Sequence, residues 1–402
     1  MVKTRTGALN PYGTDLSPIN VQISNSDTVL NVRIGTEGRY EPTIPLPRAS
    51  IRAKQQYFTV ETSYESELFV LRIHRAKTRK RIWDTSIGGL LFADQYIQIA
   101  TFLPTDKIYG FGENVHLSLK HEFFNYTTWS MLARDQPPDP ANKQRNLYGV
   151  HPFYLGLEGD NKAHGVLIWN SNPQEITTGP GPHLIYRTIG GMLDITFFAG
   201  PTPEEVIQQY HSYIGLPSLP AYFALGFQFC RYGYKNLLEM KETIERIRNA
   251  KIPIDVAYAD IDYMERYKDF TISEVAVQIV CTIIDDFKKK KKNHRIPTNC
   301  IAFSYSSREG SYSSILFKKY WRDFKSYADE LHKQNMHLIL IFDPAIEVDY
   351  PSFQRALQKN VSFIEWENYE QVPHEIQDKY SLTKGTKVSR KKYIFSTNSS
   401  VC

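Results

Sequence analysis

Asp260 and Asp262 follow the apolar run from Ile254 to Ala259, and a third acid, Asp343, follows Leu338-Ile-Leu-Ile-Phe. A buried strand that ends by releasing carboxylates is how α/β enzymes build sites, because ligands bind beyond the carboxyl ends of parallel strands. The competing reading is that Asp260 caps a following turn and Asp262 is solvated. The residues by themselves leave both open. Asp135 is the other acid of interest, in a polar loop between Trp129 and Tyr148 that three prolines make stiff and non-helical. Such a loop is either functional or a surface excursion. Cys230, Cys281, Cys300 and Cys402 show neither metal-ligand spacing nor a dense disulfide framework, so no metal or cofactor is expected.

The acids near 260 must be held by strands that alternate with helices. Read with period two, Ile254, Val256, Tyr258 and Asp260 share one face, while Asp255, Ala257 and Ala259 share the other. Upstream, Ala224-Leu-Gly-Phe-Gln-Phe-Cys is nearly continuous in apolar residues, the signature of a strand buried on both faces. Asn236, with Glu239 three residues on, caps a helix whose inward stripe is Leu237, Met240, Ile244 and Ile247. Residues 321–335 are helical in pattern, and 338–343 form another buried strand. Three such strand–helix units begin a (β/α)8 barrel or, equally, a doubly wound sheet.

Residues 1 to about 220 read differently. Alternating runs at Val21-Gln-Ile-Ser, Val29-Leu-Asn-Val-Arg-Ile, Tyr57-Phe-Thr-Val and Glu67-Leu-Phe-Val-Leu-Arg-Ile predict strands. Tyr96-Ile-Gln-Ile, Phe153-Tyr-Leu-Gly-Leu, Gly165-Val-Leu-Ile-Trp and Leu193-Asp-Ile-Thr-Phe-Phe continue them, at a spacing typical of a sandwich. The period changes at Thr202-Pro-Glu-Glu, an N-cap, a proline at the first helical position and acids in the first turn. Val206, Ile207, Tyr210 and Tyr213 recur at helical spacing before Gly215-Leu-Pro stops the helix.

Composition is ordinary for a globular protein except in aromatics, whose 26 Tyr and 22 Phe suit sheets and also the flat apolar faces of sugars. The net charge of +5 owes five positives to Lys288–Lys292, so the remainder carries no nucleic-acid footprint. Met1 is followed by Val-Lys-Thr-Arg-Thr-Gly without an apolar core, so no signal peptide is expected, and no run has the length of a membrane span. Asn125-Tyr-Thr, Asn360-Val-Ser and Asn398-Ser-Ser fit the glycosylation sequon.

Several motifs then share one origin. These are YGFGE (109–113), SMLARDQPP (130–138), NLYGVHPFYLGLE (146–158), HGVLIWNSN (164–172) and YRTIGGMLD (186–194), then LGFQFCRYGY (225–234), DIDYMER (260–266) and DPAI (343–346). Together they resemble glycoside hydrolase family 31 of the maltase-glucoamylase and sucrase-isomaltase type, closest to the C-terminal subunits. The resemblance implies a galactose-mutarotase-like β-sandwich over 1–222, followed by an incomplete (β/α)8 TIM barrel over 223–402. It implies hydrolysis of terminal α-1,4-linked glucose from malto-oligosaccharides with retention, by one carboxylate that attacks and another that donates and recovers a proton. Asp260 matches the family aspartate that binds the hydroxyls of the non-reducing glucose; an ionised carboxylate can clamp two adjacent hydroxyls. Tyr232, Ile261 and Ile341 match walls of the same subsite, and Asp135 matches an acid that reaches over the barrel mouth. The family is extracellular or apical at the plasma membrane.

The sequence also departs from that pattern. The family nucleophile lies in a Trp-x-Asp-Met-Asn-Glu motif, which occurs nowhere in these 402 residues. Neither Asp260 nor Asp343 occupies its place, so no catalytic residue is assigned. The chain reaches Cys402 after three barrel strands, which predicts uncovered edges and no hydrolysis by these residues alone. A segment at about 272–320, with VAVQIVCTIIDD and the lysine run, has no family counterpart at this length, and the end from Lys379 departs from the pattern too. The alternative expectation is a non-enzymatic carbohydrate-binding role or a non-functional truncated product.

Overall fold

The structure, a computed structural model, describes residues 10–44, 46, 56–65, 68–134, 136–139, 141, 145–273, 321–342, 346 and 350–360. Asp135, Asp343, the lysine run, Cys281, Cys300 and Cys402 therefore lie outside the described residues. The chain divides into two compact units between Pro217 and Ser218.

The first unit opens with β1 (Asn20–Ser26), β2 (Val29–Gly35), β3 (Phe58–Glu65), β4 (Leu68–Arg75), β5 (Arg81–Asp84), β6 (Leu91–Phe92) and β7 (Ile97–Phe102). It continues with β8 (Ile108–Asn114), β9 (Thr127–Met131), β10 (Asn146–Leu157), β11 (Ala163–Ile168), β12 (Gln174–Gly179), β13 (His183–Thr188) and β14 (Leu193–Phe198). One sheet has the order β1-β2-β14-β11-β10-β8; the other runs β3-β4-β5-β7-β13-β12-β9, with β6 on β7. All their pairings are antiparallel.

Period-two alternation decides what each sheet face does. Ile195 and Phe197 join Val32, Ile73, Trp83 and Tyr186 in the inner core, while the next residue, Phe198, joins Phe153, Leu167 and Val206 in a separate outer cluster. That outer face is covered by α1 (Pro203–Ile214), whose Thr202 hydroxyl accepts from Glu205 N while the Glu205 carboxylate accepts from Thr202 N. Both halves of the capping box are made. Val206 and Tyr213 are buried as the spacing predicts, but Ile207 lies 38% exposed, one position round the helix from the stripe that meets the sheet.

Arg75, on β4, lies at one end of the sandwich and links it to elements of the other sheet. Its guanidinium donates to both Glu158 carboxylate oxygens, the shortest contact 2.6 Å from Nη2, and to the carbonyls of Ala163 and Ala199. His164 Nδ1 lies 3.1 Å from Glu158 Oε1, with both side chains fully buried. Burial pushes the Glu158 carboxyl up, but hydrogen bonds from His164 and Arg75 and the Arg75 charge outweigh it and hold the group at about 2.

In the second unit, β15 (Gln228–Phe229), β16 (Val256–Ala259) and β17 (His337–Leu340) form a parallel sheet in that order. Between them lie α2 (Leu237–Asn249) and α3 (Phe324–Lys333), and α4 (Pro351–Gln358) follows. Asn236 Oδ1 accepts from Glu239 N at 2.9 Å, the expected cap, and Leu237, Met240 and Ile244 are buried. They pack with Ala257, Ala259, Trp321, Phe324 and Leu331 into one core. Two expectations need correcting. The apolar run at 224–230 is not a long strand buried on both faces: Tyr222–Leu225 is a 3-10 turn, β15 has two residues, and Phe227 is 45% exposed. β17 is likewise only half-buried along its length. Among the described residues both are edge strands of a three-stranded sheet, so each has one neighbour there where a strand inside a larger sheet has two.

Candidate functional site

Parallel pairing puts the carboxyl ends of the three strands side by side. Gln228 and Phe229 register with Val256 and Ala257, and Val256–Ala259 with His337–Leu340. The residues that come next, Cys230, Asp260 and Ile341, therefore emerge at one edge. The Ile341 N–H donates back to the Ala259 carbonyl at 3.3 Å, which continues the ladder to the last position before the loop.

Asp260 leaves β16 in extended conformation and caps the 3-10 turn Ile261–Tyr263; its Oδ1 accepts from Ile261 N at 2.7 Å. Its Oδ2 receives no hydrogen bond from the described residues, so one carboxylate oxygen is held by the turn and the other is not. The capping and binding readings of Asp260 are thus compatible. Ile261 and Ile341 are partly buried against the core of the unit. Tyr263, buried, donates its hydroxyl to the Ile341 carbonyl at 3.1 Å and stacks on Phe324 at 5.3 Å. It ties the turn that carries Asp260 and Ile261 to the end of β17.

Tyr232 stands 64% exposed in the loop after β15. Its neighbours are anchored. Arg231 donates to Glu239 Oε1 at 2.7 Å and lies over the Tyr234 ring at 4.6 Å, and Lys235 N donates to Glu239 Oε2 at 2.9 Å. Gly233, with φ +94°, donates its N–H to Asp262 Oδ2 at 2.9 Å. Glycine adopts that φ without the Cβ clash another residue would meet. Asp262 is therefore not merely solvated. Burial raises its carboxyl above the ordinary aspartate range, opposed by bonds from the Gly233 and Tyr234 amides and reinforced by the nearby Asp260. Burial, and then Asp260, also raises the Cys230 thiol, which is free and exposed.

Four of the five expected positions, Tyr232, Asp260, Ile261 and Ile341, thus lie at the carboxyl ends of the strands; Asp135 is outside the described residues. The sequence reading missed Asp262 as a loop tie, Cys230, and the stacked pair Phe270–Phe342, whose rings are 5.3 Å apart and both half-exposed. Among the described residues no group of three or more metal-ligating side chains occurs.

A β-sandwich and a unit of parallel strands alternating with helices, with Tyr232, Asp260, Ile261 and Ile341 at the carboxyl ends of those strands, fit an α/β fold that is either a barrel or a doubly wound sheet. Comparison makes this specific. Residues 13–176 match the glycosyl hydrolase 31 N-terminal galactose mutarotase-like domain, and residues 217–278 and 280–384 match the glycosyl hydrolases family 31 TIM-barrel domain. Intestinal sucrase-isomaltase of Oryctolagus cuniculus is 40% identical over 335 residues, 82% of this chain and 16% of that protein. A probable maltase-glucoamylase 2 of Homo sapiens is 37% identical over 352 residues, 86% of this chain and 12% of that protein. In fold, the chain is similar to a Flavobacterium johnsoniae GH31 dextranase complexed with glucose, with TM-score 0.57 and 18% identity over 88% of this chain and 43% of that one. The chain belongs to glycoside hydrolase family 31, with a mutarotase-like sandwich and a partial TIM barrel. It spans about a sixth or less of the length of these two curated relatives.

Proposed function

We propose that this chain supplies the glucose-binding floor of a retaining α-glucosidase acting on terminal α-1,4-linked glucose of malto-oligosaccharides. The observation that carries this is Asp260, at the carboxyl end of β16 with one oxygen fixed by Ile261 N and the other without a hydrogen bond from the described residues. In this reading that second oxygen accepts from hydroxyls of the non-reducing glucose, and Tyr232, Ile261 and Ile341 wall that sugar. Asp135 is a further proposed contact, on sequence resemblance alone. Relatives named for sucrase, isomaltase, maltase and glucoamylase action support an α-glucoside as substrate.

The nucleophile motif Trp-x-Asp-Met-Asn-Glu is absent from these residues, and no acid/base is assigned among them. Asp260 is a binding group, and residues 1–402 alone release no glucose from maltose; release by the pure chain would overturn this assignment. In a polypeptide that also carries the catalytic pair, Asp260→Asn lowers kcat/KM for maltose about 10- to 100-fold, the worth of a hydrogen bond to a charged group. Unchanged kcat/KM would remove Asp260 from the site. The absent motif also favours a second reading, in which the chain binds α-glucosides without cleaving them; both readings expect maltose binding weakened by Asp260→Asn, and the second is distinguished by such binding without glucose release in the protein isolated from its own cells.

A further inference from the structure

The loop between β8 and β9 exposes more apolar surface than a solvated loop needs. Leu117, Leu119, Phe124 and Tyr126 are 75%, 88%, 82% and 69% exposed, all within residues 117–126. Single exposed apolar side chains are ordinary, but four within ten residues, two of them (Leu117 and Phe124) lining one cleft, mark a surface that something covers. The group borders a cleft of about 1030 Å³, whose lining includes Leu117, Lys120, Glu122, Phe124, Thr127 and Trp129. Its rim is polar, with Lys120 paired to Asp106 at 3.1 Å.

Asn125 stands between Phe124 and Tyr126 and opens the triplet Asn125-Tyr126-Thr127. The middle residue is not proline, the third is threonine, and the asparagine is exposed in a bend just before β9. Its Nδ2 makes only a long contact, 3.3 Å, with Glu122 Oε1. Because Glu122 lines the cleft, that contact sets the acceptor nitrogen at the cleft rim. Phe123 is buried in the sandwich core and Tyr126 packs against His183 at 5.4 Å, so the bend is pinned on both sides of the asparagine. Of the other two triplets, Asn398 and the residues after Asn360 lie outside the described residues.

We propose that Asn125 is an N-glycosylation site and that the first sugars of its glycan cover the Phe124–Tyr126 patch and the adjoining cleft. The bond formed joins Asn125 Nδ2 to the anomeric carbon of an oligosaccharide carried on a lipid diphosphate. The amide gives up one N–H proton, which passes to solvent or to the departing diphosphate, and the carbon–oxygen bond to the diphosphate breaks as the lipid diphosphate leaves. The ring faces of Phe124 and Tyr126 then pack on the apolar faces of the sugars, while Glu122, Asp106 and Lys120 meet hydroxyls.

The test is glycopeptide mass spectrometry on the protein isolated from its own cells, digested and treated with an amidase specific for asparagine-linked glycans in heavy-oxygen water. The expected result is conversion of Asn125 to aspartate carrying one heavy oxygen, and recovery of the Asn125 peptide without sugar before treatment overturns the proposal. Covering is read separately, by binding of an apolar fluorescent dye before and after deglycosylation of the folded protein. Fluorescence rises more than about twofold in the natural chain and much less in a Phe124→Ser, Tyr126→Ser chain. An equal rise in both, or none in either, would contradict the covering role. Circular dichroism of the Asn125→Gln chain checks that loss of the glycan leaves the fold intact.

Discussion

The two units use the same kind of apolar strand and end in different states. In the sandwich, two sheets bury a shared inner core and α1 covers part of one outer face. Even its charged pair, Arg75 and Glu158, is buried and multiply hydrogen-bonded. In the barrel unit, both flanking strands of the sheet are edges among the described residues, and Leu219, Tyr222, Leu225 and Phe342 are 92%, 90%, 66% and 53% exposed. Strand pattern therefore sets which residues can be buried; the number of neighbours sets whether they are. The sugar-site candidates lie in the open unit, at the one edge where three strand ends meet.

The largest effect that sharpens this contrast is at Glu158. Glu158→Ala strands the Arg75 charge inside the sandwich and lowers stability by about 3–5 kcal/mol, read as a shift of the sandwich transition in urea. A loss below about 1 kcal/mol would mean the pair is solvated, as a surface bridge is. The same group makes the sandwich acid-sensitive. Its carboxyl is held at about 2 against an ordinary 4.5, so its stabilisation is complete above about pH 4.5 and fades as pH falls towards 2. Unfolding midpoints of the natural chain should drop across that window, and those of a Glu158→Gln chain should drop less.

In the barrel unit, Met240→Ala removes a fully buried side chain between α2 and the sheet and costs about 2–5 kcal/mol. The low end of that range is expected, because a half-covered sheet relaxes more easily around a cavity. Two separate urea transitions, each moved by its own variant, confirm that the units respond independently; one shared shift would break the comparison. The smallest effect is Thr202→Ala, which removes half of the α1 capping box for about 1 kcal/mol and leaves the barrel transition in place.

Much of this was legible where local chemistry decides. The alternation of β2, β4, β7 and β14 and the caps at Thr202 and Asn236 need only nearby residues. β12 and β13 escaped notice because Thr177, Thr178, His183 and Thr188 are buried polar positions, which blur the apolar alternation. β8 escaped because its pairing with β10 is interrupted by register shifts in a glycine-rich stretch. The run at 224–230 was overread, since an apolar composition cannot report that a strand has only one neighbour. At the site, Asp260 could be read from its place after an apolar run. The tie from Asp262 to Gly233, 29 residues apart, could not, and neither could the Phe270–Phe342 stack, because both depend on which strand ends become neighbours.

Titration calorimetry of maltose into the 402-residue chain, beside its Asp260→Asn and Tyr232→Ala variants, tests the central assignment most directly. The account predicts weak, saturable binding by the natural chain, loosened about tenfold or more by Asp260→Asn and less by Tyr232→Ala, with all three thermal transitions unchanged. Equal binding by the natural chain and the Asp260→Asn variant, with both folded, would contradict the placement of the glucose-binding floor at the end of β16.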